Sequence, residues 1–324
     1  MKTTKKTIVD VPGIKVGQAQ DEKALTGCTV ILVDDMAVCG VDIRGSAPGT
    51  RETDLLNPLN LVQKVNAICL SGGSAFGLDA ATGVMQWLEE HGYGLDVGVG
   101  VVPIVPAAVL FDLGVGDART RPNADMGYRA AKAASTDPVQ EGNAGAGCGA
   151  SVGKAAGIHR GMKSGLGSFA RELPTGLVVG AVVAVNAVGE VRDPKTQEVL
   201  AGARGDRNEL LDSSKLLTER PQTPFSPGTN TTIAVVASNA RLNKTEATKV
   251  AQMAHDGLAR TIFPVHTMYD GDTVFALATG EVDATVDVVG VLAAEVLGEA
   301  VVRAVKQAQG AGGLPAYRDL HPSV

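Results

Sequence analysis

The chain has 324 residues, 44% of them hydrophobic and only 3% aromatic, with 40 glycines. That composition suffices for one large core or two smaller ones and excludes a disordered chain. A formal charge of −6 and a pI near 5.4 leave no basic footprint for nucleic acid, and no apolar run reaches the roughly 20 residues that span a bilayer. The start MKTTKKTIVDVPG is basic but lacks the apolar stretch of a signal peptide, so the expected location is the cytoplasm.

In chain order, CTVILVD (28–34) and AVCGVDIRG (37–45) predict two strands joined by a short polar turn. AICLSGG (68–73) predicts a strand running into a glycine turn. Residues 74–90 then carry Leu78, Met85, Trp87 and Leu88 at helical spacing. In VVPIVPAAVL (101–110), Pro103 and Pro106 exclude a central strand and a helix interior. GLVVGAVVAVNAVGEV (176–191) reads as a long strand, with a hairpin around Asn186 as an option. Residues 192–229 are polar and Pro-rich, a long connection of the kind that is functional or unstructured.

TTIAVVAS (231–238) resumes as a strand. A helix follows, with Asn243 as N-cap, Glu246 completing a capping box, and Ala247, Val250, Ala251, Ala254 and Leu258 as its apolar stripe. TVFALAT (273–279) predicts another strand, and the almost wholly apolar 284–307 a buried helix. No internal repeat is visible, and the mixture predicts an α/β or α+β fold with helices packed on sheets.

Cys28, Cys39, Cys69 and Cys148 form no C-x-x-C pair and are expected to be reduced and structural. The five histidines are dispersed, so neither a His-based metal site nor a Ser-His-Asp arrangement can be read from spacing. GNAGAGCGASVGK (142–154) imitates a phosphate loop, but Cys148 and Ala155 stand where the motif needs Gly and Ser or Thr. A loop permitting close backbone approach is the better reading. Lys154, enclosed by small residues, has no easy path to water. SGGSAFG (71–77) misses the serine nucleophile elbow by one residue, since Phe76 occupies the last glycine. A strand-to-helix turn whose backbone N–H groups face a site remains open there.

The sharper signal is PGTNTT (227–232), where a polar loop delivers Asn-Thr-Thr into an apolar strand. The ordinary reading is a turn before two β-favouring threonines. The chemical reading is a cleavage site between Asn230 and Thr231. A Thr hydroxyl can attack the preceding carbonyl, and hydrolysis of the resulting ester frees a terminal Thr. That residue carries both a nucleophile and, with an α-amine pKa of about 7.7–8.0, a general base. In YDGDT (269–273), Asp270 and Asp272 flank Gly271 just before a strand. A solvated turn would look the same; alternatively, the two carboxylates couple and orient the Thr hydroxyl and amine.

Together these segments resemble the P1-type (S58) peptidases: the L-aminopeptidase/D-esterases, the β-peptidyl aminopeptidases and the endo-type 6-aminohexanoate-oligomer (nylon oligomer) hydrolases. The resemblance runs through ICLSGGSAFGLDAATGV, PIVPAAVLFDL, GAGCGASVGK, VVAVNAVGEV, GTNTTIAVVASNA and HTMYDGDTVFALATG, all in order. It implies a four-layer α-β-β-α sandwich and processing of a single 1–324 domain into fragments 1–230 and 231–324. It implies Thr231 as nucleophile, Asp270 and Asp272 as catalytic carboxylates, Lys154 as an active-site lysine, and Asn186 as an oxyanion donor. Ser74 and Phe76 fall in the substrate-binding turn. Phe76 stands where the family has a Tyr, so it cannot make that hydroxyl contact.

The expectation is therefore a self-cleaving N-terminal-nucleophile amidohydrolase acting on small peptides, amino-acid amides or ω-amino-acid oligomers. It needs no cofactor or metal, binds neither nucleic acid nor membrane, and assembles as a homo-oligomer, with a tetramer of processed units implied by the resemblance. Two rivals are an acyltransferase like ornithine acetyltransferase, which shares the fold, and a non-enzymatic binding protein that retains it.

Overall fold

The computed structural model describes residues 6–219 and 230–321. Nine strands form its frame: β1 (Ile14–Asp21), β2 (Thr26–Ile43), β3 (Thr50–Arg51), β4 (Lys64–Ser71), β5 (Ala107–Val109), β6 (Leu166–Glu172), β7 (Val178–Asn186), β8 (Thr231–Ala240) and β9 (Thr273–Val282). They are hydrogen-bonded in the order β6-β7-β8-β9-β2-β4-β5-β3, with β1 also on β2.

The 18 residues of β2 serve both halves of this one folded-over sheet. Its first half, Thr26–Val33, pairs with β1, and its last part, Val38–Ile43, pairs with β9. Between the two the register with β4 slips, Leu32 facing Ala67 but Ala37 facing Val65, and Met36 has φ 39°. The expected pair of strands joined by a turn is thus one bulged strand. Asp34 and Asp35 are exposed, as turn residues would be, but the chain keeps its direction. A bulge bends a strand and increases its twist, which lets β2 pass from one half of the sheet to the other.

Four longer helices cover the sheets: α1 (Ala80–Glu90), α2 (Ala124–Lys132), α3 (Lys244–Ala259) and α4 (Val286–Gln307). The layers follow from the period-two alternation of the strands. In β7, Ala181 and Val183 face one way, into a core with Val236 of β8, Val274 of β9, Val250 and Ala254 of α3, and Val301 of α4. Val182 and Ala184 face the other way, into a core with Ile31, Ile68, Leu70, Ile233, Val235 and Phe275. A third core joins Val30, Leu32, Ala67 and Cys69 to Val84 and Leu88 of α1 and Met126 and Ala130 of α2. Three cores separate four layers, α-β-β-α, as expected. Strands buried on both faces read as continuous apolar runs, and every residue of β8 is buried.

The α3 capping box is present: the Asn243 side chain accepts from Glu246 N, and the Glu246 side chain accepts from Asn243 N. Its predicted stripe is buried. In α1 the buried face is Ala80, Ala81, Gly83, Val84 and Leu88, while Met85 and Trp87 are only partly covered. Small residues win because α2 lies so close: a Cβ on Gly83 would stand 1.7 Å from the Ala124 carbonyl oxygen. A short 3-10 turn, Ser74–Asp79, precedes α1. In α4, Val288 and Val291 are exposed, so that helix is not buried all round.

No hairpin forms around Asn186. The next strand segment, Glu190–Arg192, pairs instead with Val199–Ala201 and Ile262–Phe263 in a separate small sheet. Residues 192–219 are also not a structureless loop, since they hold short strands and the helix Ser213–Glu219; residues 220–229 of that stretch lie outside the described residues. The glycine loop permits the expected close approach, a Cβ on Gly153 falling 1.9 Å from the Gly202 carbonyl carbon. All four cysteines are buried and free. No helix among the described residues is long and apolar enough to cross a membrane.

Candidate active site around Thr231

β8 and β9 run parallel, joined through α3, so both strands start at the same end of the sheet. Thr231 opens β8, and Asp270-Gly271-Asp272 immediately precedes β9. The antiparallel neighbour β7 finishes at this end, with Asn186 opposite Thr231. Topology alone thus gathers residues from three distant stretches of sequence.

The Thr231 side chain is buried, and its hydroxyl donates to the carbonyl oxygen of Asn230. Gly271 N also donates to that oxygen, at 3.0 Å. Gly271 is required by space: a Cβ there would lie 2.8 Å from Thr231 Oγ1 and 2.6 Å from the Ala47 carbonyl oxygen. The segment after β2 braces the Asp loop from outside. Arg44 N donates to Asp272 O at 3.0 Å and Ala47 N to Asp270 O at 2.9 Å. Between them a Cβ on Gly45 would meet Asp272 N at 2.2 Å.

Both carboxylates are buried, but their partners differ. Asp272 Oδ1 accepts from Thr232 N at 2.7 Å, and its Oδ2 accepts from His266 N at 3.1 Å and lies 2.8 Å from His266 Nδ1. Asp270 Oδ2 accepts from Thr267 N at 2.8 Å and Thr267 Oγ1 at 2.5 Å, and its Oδ1 has no hydrogen-bond partner among the described residues. Burial, then the charge of Asp272, raises the Asp270 carboxyl to about 6, against the Thr267 bonds and Lys154. Asp270 therefore keeps its proton to a higher pH than an ordinary carboxyl and gives it up as the pH rises through about 6.

Lys154 is buried, and its Nζ donates to Asn186 Oδ1 at 2.9 Å and Asn186 O at 3.2 Å. Burial lowers it to about 7, with Asp270 and Asp112 pulling weakly the other way. Asn186 Oδ1 also accepts from Ser151 N at 3.1 Å, and Nδ2 donates to the Phe111 carbonyl at 2.9 Å. The donors on one side and the acceptor on the other fix the amide orientation. One N–H of Asn186 remains beyond the Phe111 bond.

The structure thus brings together Asn230, Thr231, Asp270, Asp272, Lys154 and Asn186. It does not join Phe76 to them. That ring is 59% exposed and lies under the Arg121 guanidinium, 3.8 Å from its centroid. Ser74 sits at the turn with φ 54°, its N–H donating to the Leu110 carbonyl. Sequence reasoning missed His266, Thr267 and Ser151, as well as Asp112. Asp112 holds the glycine turn, accepting from Gly73 N at 2.7 Å and Thr26 Oγ1 at 2.6 Å, while burial raises its carboxyl. His266 and Thr267 were visible in HTMYDGDT, but nothing in their spacing says that the chain doubles back onto Asp272 and Asp270.

A model of peptidase family S58 matches residues 6–316. An uncharacterized aminopeptidase of Mycobacterium tuberculosis is 45% identical, the match covering 98% of each chain. A 6-aminohexanoate-oligomer endohydrolase of Kocuria sp. is 32% identical over 92% of this chain and 85% of its own length. Among solved structures, a Burkholderia sp. β-aminopeptidase superposes with TM-score 0.71 at 22% identity, covering 98% of this chain and 92% of that one. The L-aminopeptidase D-Ala-esterase/amidase of Ochrobactrum anthropi, described as a variant of the Ntn hydrolase fold, gives 0.71 at 19% identity over 97% and 90%. With the family model spanning nearly the whole sequence and hydrolase relatives along its full length, the chain belongs to peptidase family S58 and is a hydrolase.

Proposed function

We propose that this hydrolase cleaves itself between Asn230 and Thr231 and then uses the freed Thr231 to hydrolyse amide bonds. The observation that carries the reading is the Thr231 hydroxyl resting on the Asn230 carbonyl inside a buried cluster of two carboxylates, a lysine and an amide. In processing, Thr231 Oγ1 bonds to the Asn230 carbonyl carbon and the C–N bond breaks, leaving an ester and a free amine. Water then hydrolyses the ester, giving an Asn230 carboxylate and an N-terminal Thr231.

In turnover the same Oγ1 attacks the substrate carbonyl, and the α-amine takes its proton. The leaving amine departs with a proton, and water resolves the acyl-Thr ester. The remaining N–H of Asn186 is suited to the developing oxyanion, and Lys154 holds Asn186 in place. Asp272 orients the strand that carries the nucleophile through the Thr232 N–H.

Small peptides, amino-acid amides and linear ω-amino-acid oligomers are the proposed substrates, by analogy with the named relatives. The processed unit is proposed to be one 1–324 domain of two associated fragments. It would act as a homo-oligomer, a tetramer by analogy, in the cytoplasm and without a cofactor. The test is an intact-mass spectrum under denaturing conditions of the parent beside Thr231→Ala. Two chains in the parent and one in the variant are expected, followed by release of amine from amino-acid amides. A parent that stays whole through long incubation overturns the mechanism. Acyl transfer from acetylornithine to glutamate exceeding amide hydrolysis would favour the acyltransferase reading instead.

A further inference from the structure

The reaction above uses Asp272 but not the histidine attached to it. His266 reaches Asp272 twice, by its backbone N–H at 3.1 Å and by ring Nδ1 at 2.8 Å, both on Oδ2. The other oxygen of the same carboxylate takes the Thr232 N–H at 2.7 Å. A carboxylate only accepts, so Nδ1 carries the ring proton. Nε2 is buried and has no hydrogen-bond partner among the described residues. The edge-on ring beside it is His255 of α3, with centroids 4.8 Å apart.

The charged surroundings are defined on every side the structure describes. His255 lies 3.0 Å from the Asp42 carbonyl oxygen and 3.6 Å from Asp42 Oδ2, and Asp42 is itself paired with Arg44 at 2.8 Å. Burial holds His255 down at about 4, so it stays neutral through the working range. Asp270 and Lys154 belong to the same cluster as Asp272. Asp272 is thus the carboxylate bonded directly to His266, while Asp42 reaches it only through a neutral ring.

The backbone adds an independent observation. His266 has φ 57°, in the left-handed region that a non-glycine residue adopts rarely. Such conformations persist where the surroundings fix them, and they cluster at functional sites. Here the surroundings are the two bonds to Asp272. A histidine with its Nε2 buried, held in a disfavoured conformation and donating to the carboxylate beside the nucleophile, is more than a loop stitch.

We propose that His266 is a positioning residue: its Nδ1–H anchors Asp272 so that the free carboxylate oxygen holds the Thr232 peptide, and with it Thr231, in line for attack. The inference rests on the Thr231 reading, and its failure can be told apart from failure of that reading. Gly and Asn both accept positive φ, so His266→Gly and His266→Asn keep the backbone and its N–H bond. They differ in one respect, since the Asn side-chain N–H can stand where Nδ1–H stands.

The full chains are made in a cell-free system, and self-cleavage is followed on denaturing gels from about pH 5 to 9, a range that brackets the raised Asp270 carboxyl. In His266→Gly we expect cleavage slowed about tenfold or more, the size of one lost hydrogen bond to a charged group. Its acidic limb should move to higher pH, because a donor to the ionised pair is gone. In His266→Asn both rate and limb should return toward the parent. A Gly variant with the parent's rate and profile overturns the proposal. So does a pair of equally slow variants with an unmoved profile, which would make the ring a purely structural element. If the parent itself never cleaves, the Thr231 reading fails first and takes this inference with it; if the parent cleaves and the Gly variant matches it, only the role of His266 is lost.

Discussion

Burying Asp270 beside Asp272 should destabilise the folded chain, and replacing Asp270 should relieve that. Its carboxyl is raised from 3.8 to about 6, which penalises the ionised form by about 3 kcal/mol. A raised acid binds its proton more tightly in the folded state. Its penalty is therefore absent below the unfolded value, grows as pH rises from 3.8 to 6, and is complete above. Asp270→Asn keeps an oxygen for both Thr267 donors and removes the charge. The neighbouring Lys154 does not offset the gain at about pH 8. Its folded value is already about 7, so at that pH it is mostly neutral and a further drop costs nothing more. At an unfolding entropy of about 2.1 cal/mol/K per residue, 324 residues turn 3 kcal/mol into a rise of roughly 4 °C in Tm. The comparison belongs in a Thr231→Ala background, where both chains stay whole, at fixed protein concentration. Calorimetry should find Thr231→Ala/Asp270→Asn the more stable at about pH 8 and the two equal at about pH 4. Equal stability at the higher pH, or the same gain at both, would refute the reasoning.

Three further perturbations separate space, charge and packing. Gly271→Ala puts a methyl 2.8 Å from Thr231 Oγ1 and 2.6 Å from the Ala47 carbonyl; self-cleavage should fall by about a hundredfold or more with an unchanged far-UV spectrum, as expected for an angstrom-scale misplacement, and gel densitometry over a time course checks it. Lys154→Met takes a hydrogen bond from Asn186 Oδ1 and a counter-charge from Asp270. Cleavage should slow about tenfold or more, with Asp270 titrating above its present value of about 6; an unaltered pH–rate profile would show that the lysine is not coupled to the pair. Among the described residues Lys163 bonds to neither Thr231 nor the Asp pair; it is buried, and its Nζ donates to the carbonyls of Gly147, Ala150 and Ser164. Lys163→Met removes all three bonds but leaves the Gly147 and Ala150 carbonyls their backbone donors, Ala150 N and Ser164 N, so urea unfolding should report a loss of about 1–3 kcal/mol, while the cleavage rate of the molecules that fold changes little.

How much of this was legible depended on whether a residue's role is local. Asn243 and Glu246 cap α3 through bonds three residues apart, and the spacing announces them. Thr231 and the Asp pair stand out because polar residues abut apolar strands, and the parallel pairing of β8 and β9 then brings them together. His266 and Thr267 were invisible in that sense. Their partners lie six and three residues away, across a turn whose shape follows from a φ of 57° that no pattern of residue types predicts. The error over β2 has the same origin. Asp34 and Asp35 look like a turn because they are exposed, and exposure is common to turns and bulges. The α1 stripe misled in the opposite direction: bulky residues marked the half-covered side, while Gly83 and the alanines marked the side where α2 comes closest.

Cleavage at the start of β8 would cut the chain at a point where the fold loses little. Every residue of β8 is buried, and it is paired on both sides, with β7 of the first fragment and β9 of the second. β9 in turn pairs with β2 of the first fragment, and α4 packs with β7 in a common core. The two fragments would therefore share two strand ladders and the core beneath α3 and α4. The losses would be the peptide between Asn230 and Thr231 and the bonds that the Thr231 hydroxyl and Gly271 N–H make to the Asn230 carbonyl. The new α-amine would appear at the head of β8 near Asp270, whose ionised form is costly in the intact chain, and in its protonated form it would give that carboxylate a counter-ion. Processing should thus raise the stability of the folded unit even as it breaks the chain. Fragments 1–230 and 231–324 should co-elute in native size exclusion and separate only in denaturant. Processed protein should melt above the uncleaved Thr231→Ala chain at neutral pH, and a lower melting point would mean that the buried carboxylates gain nothing from the new amine.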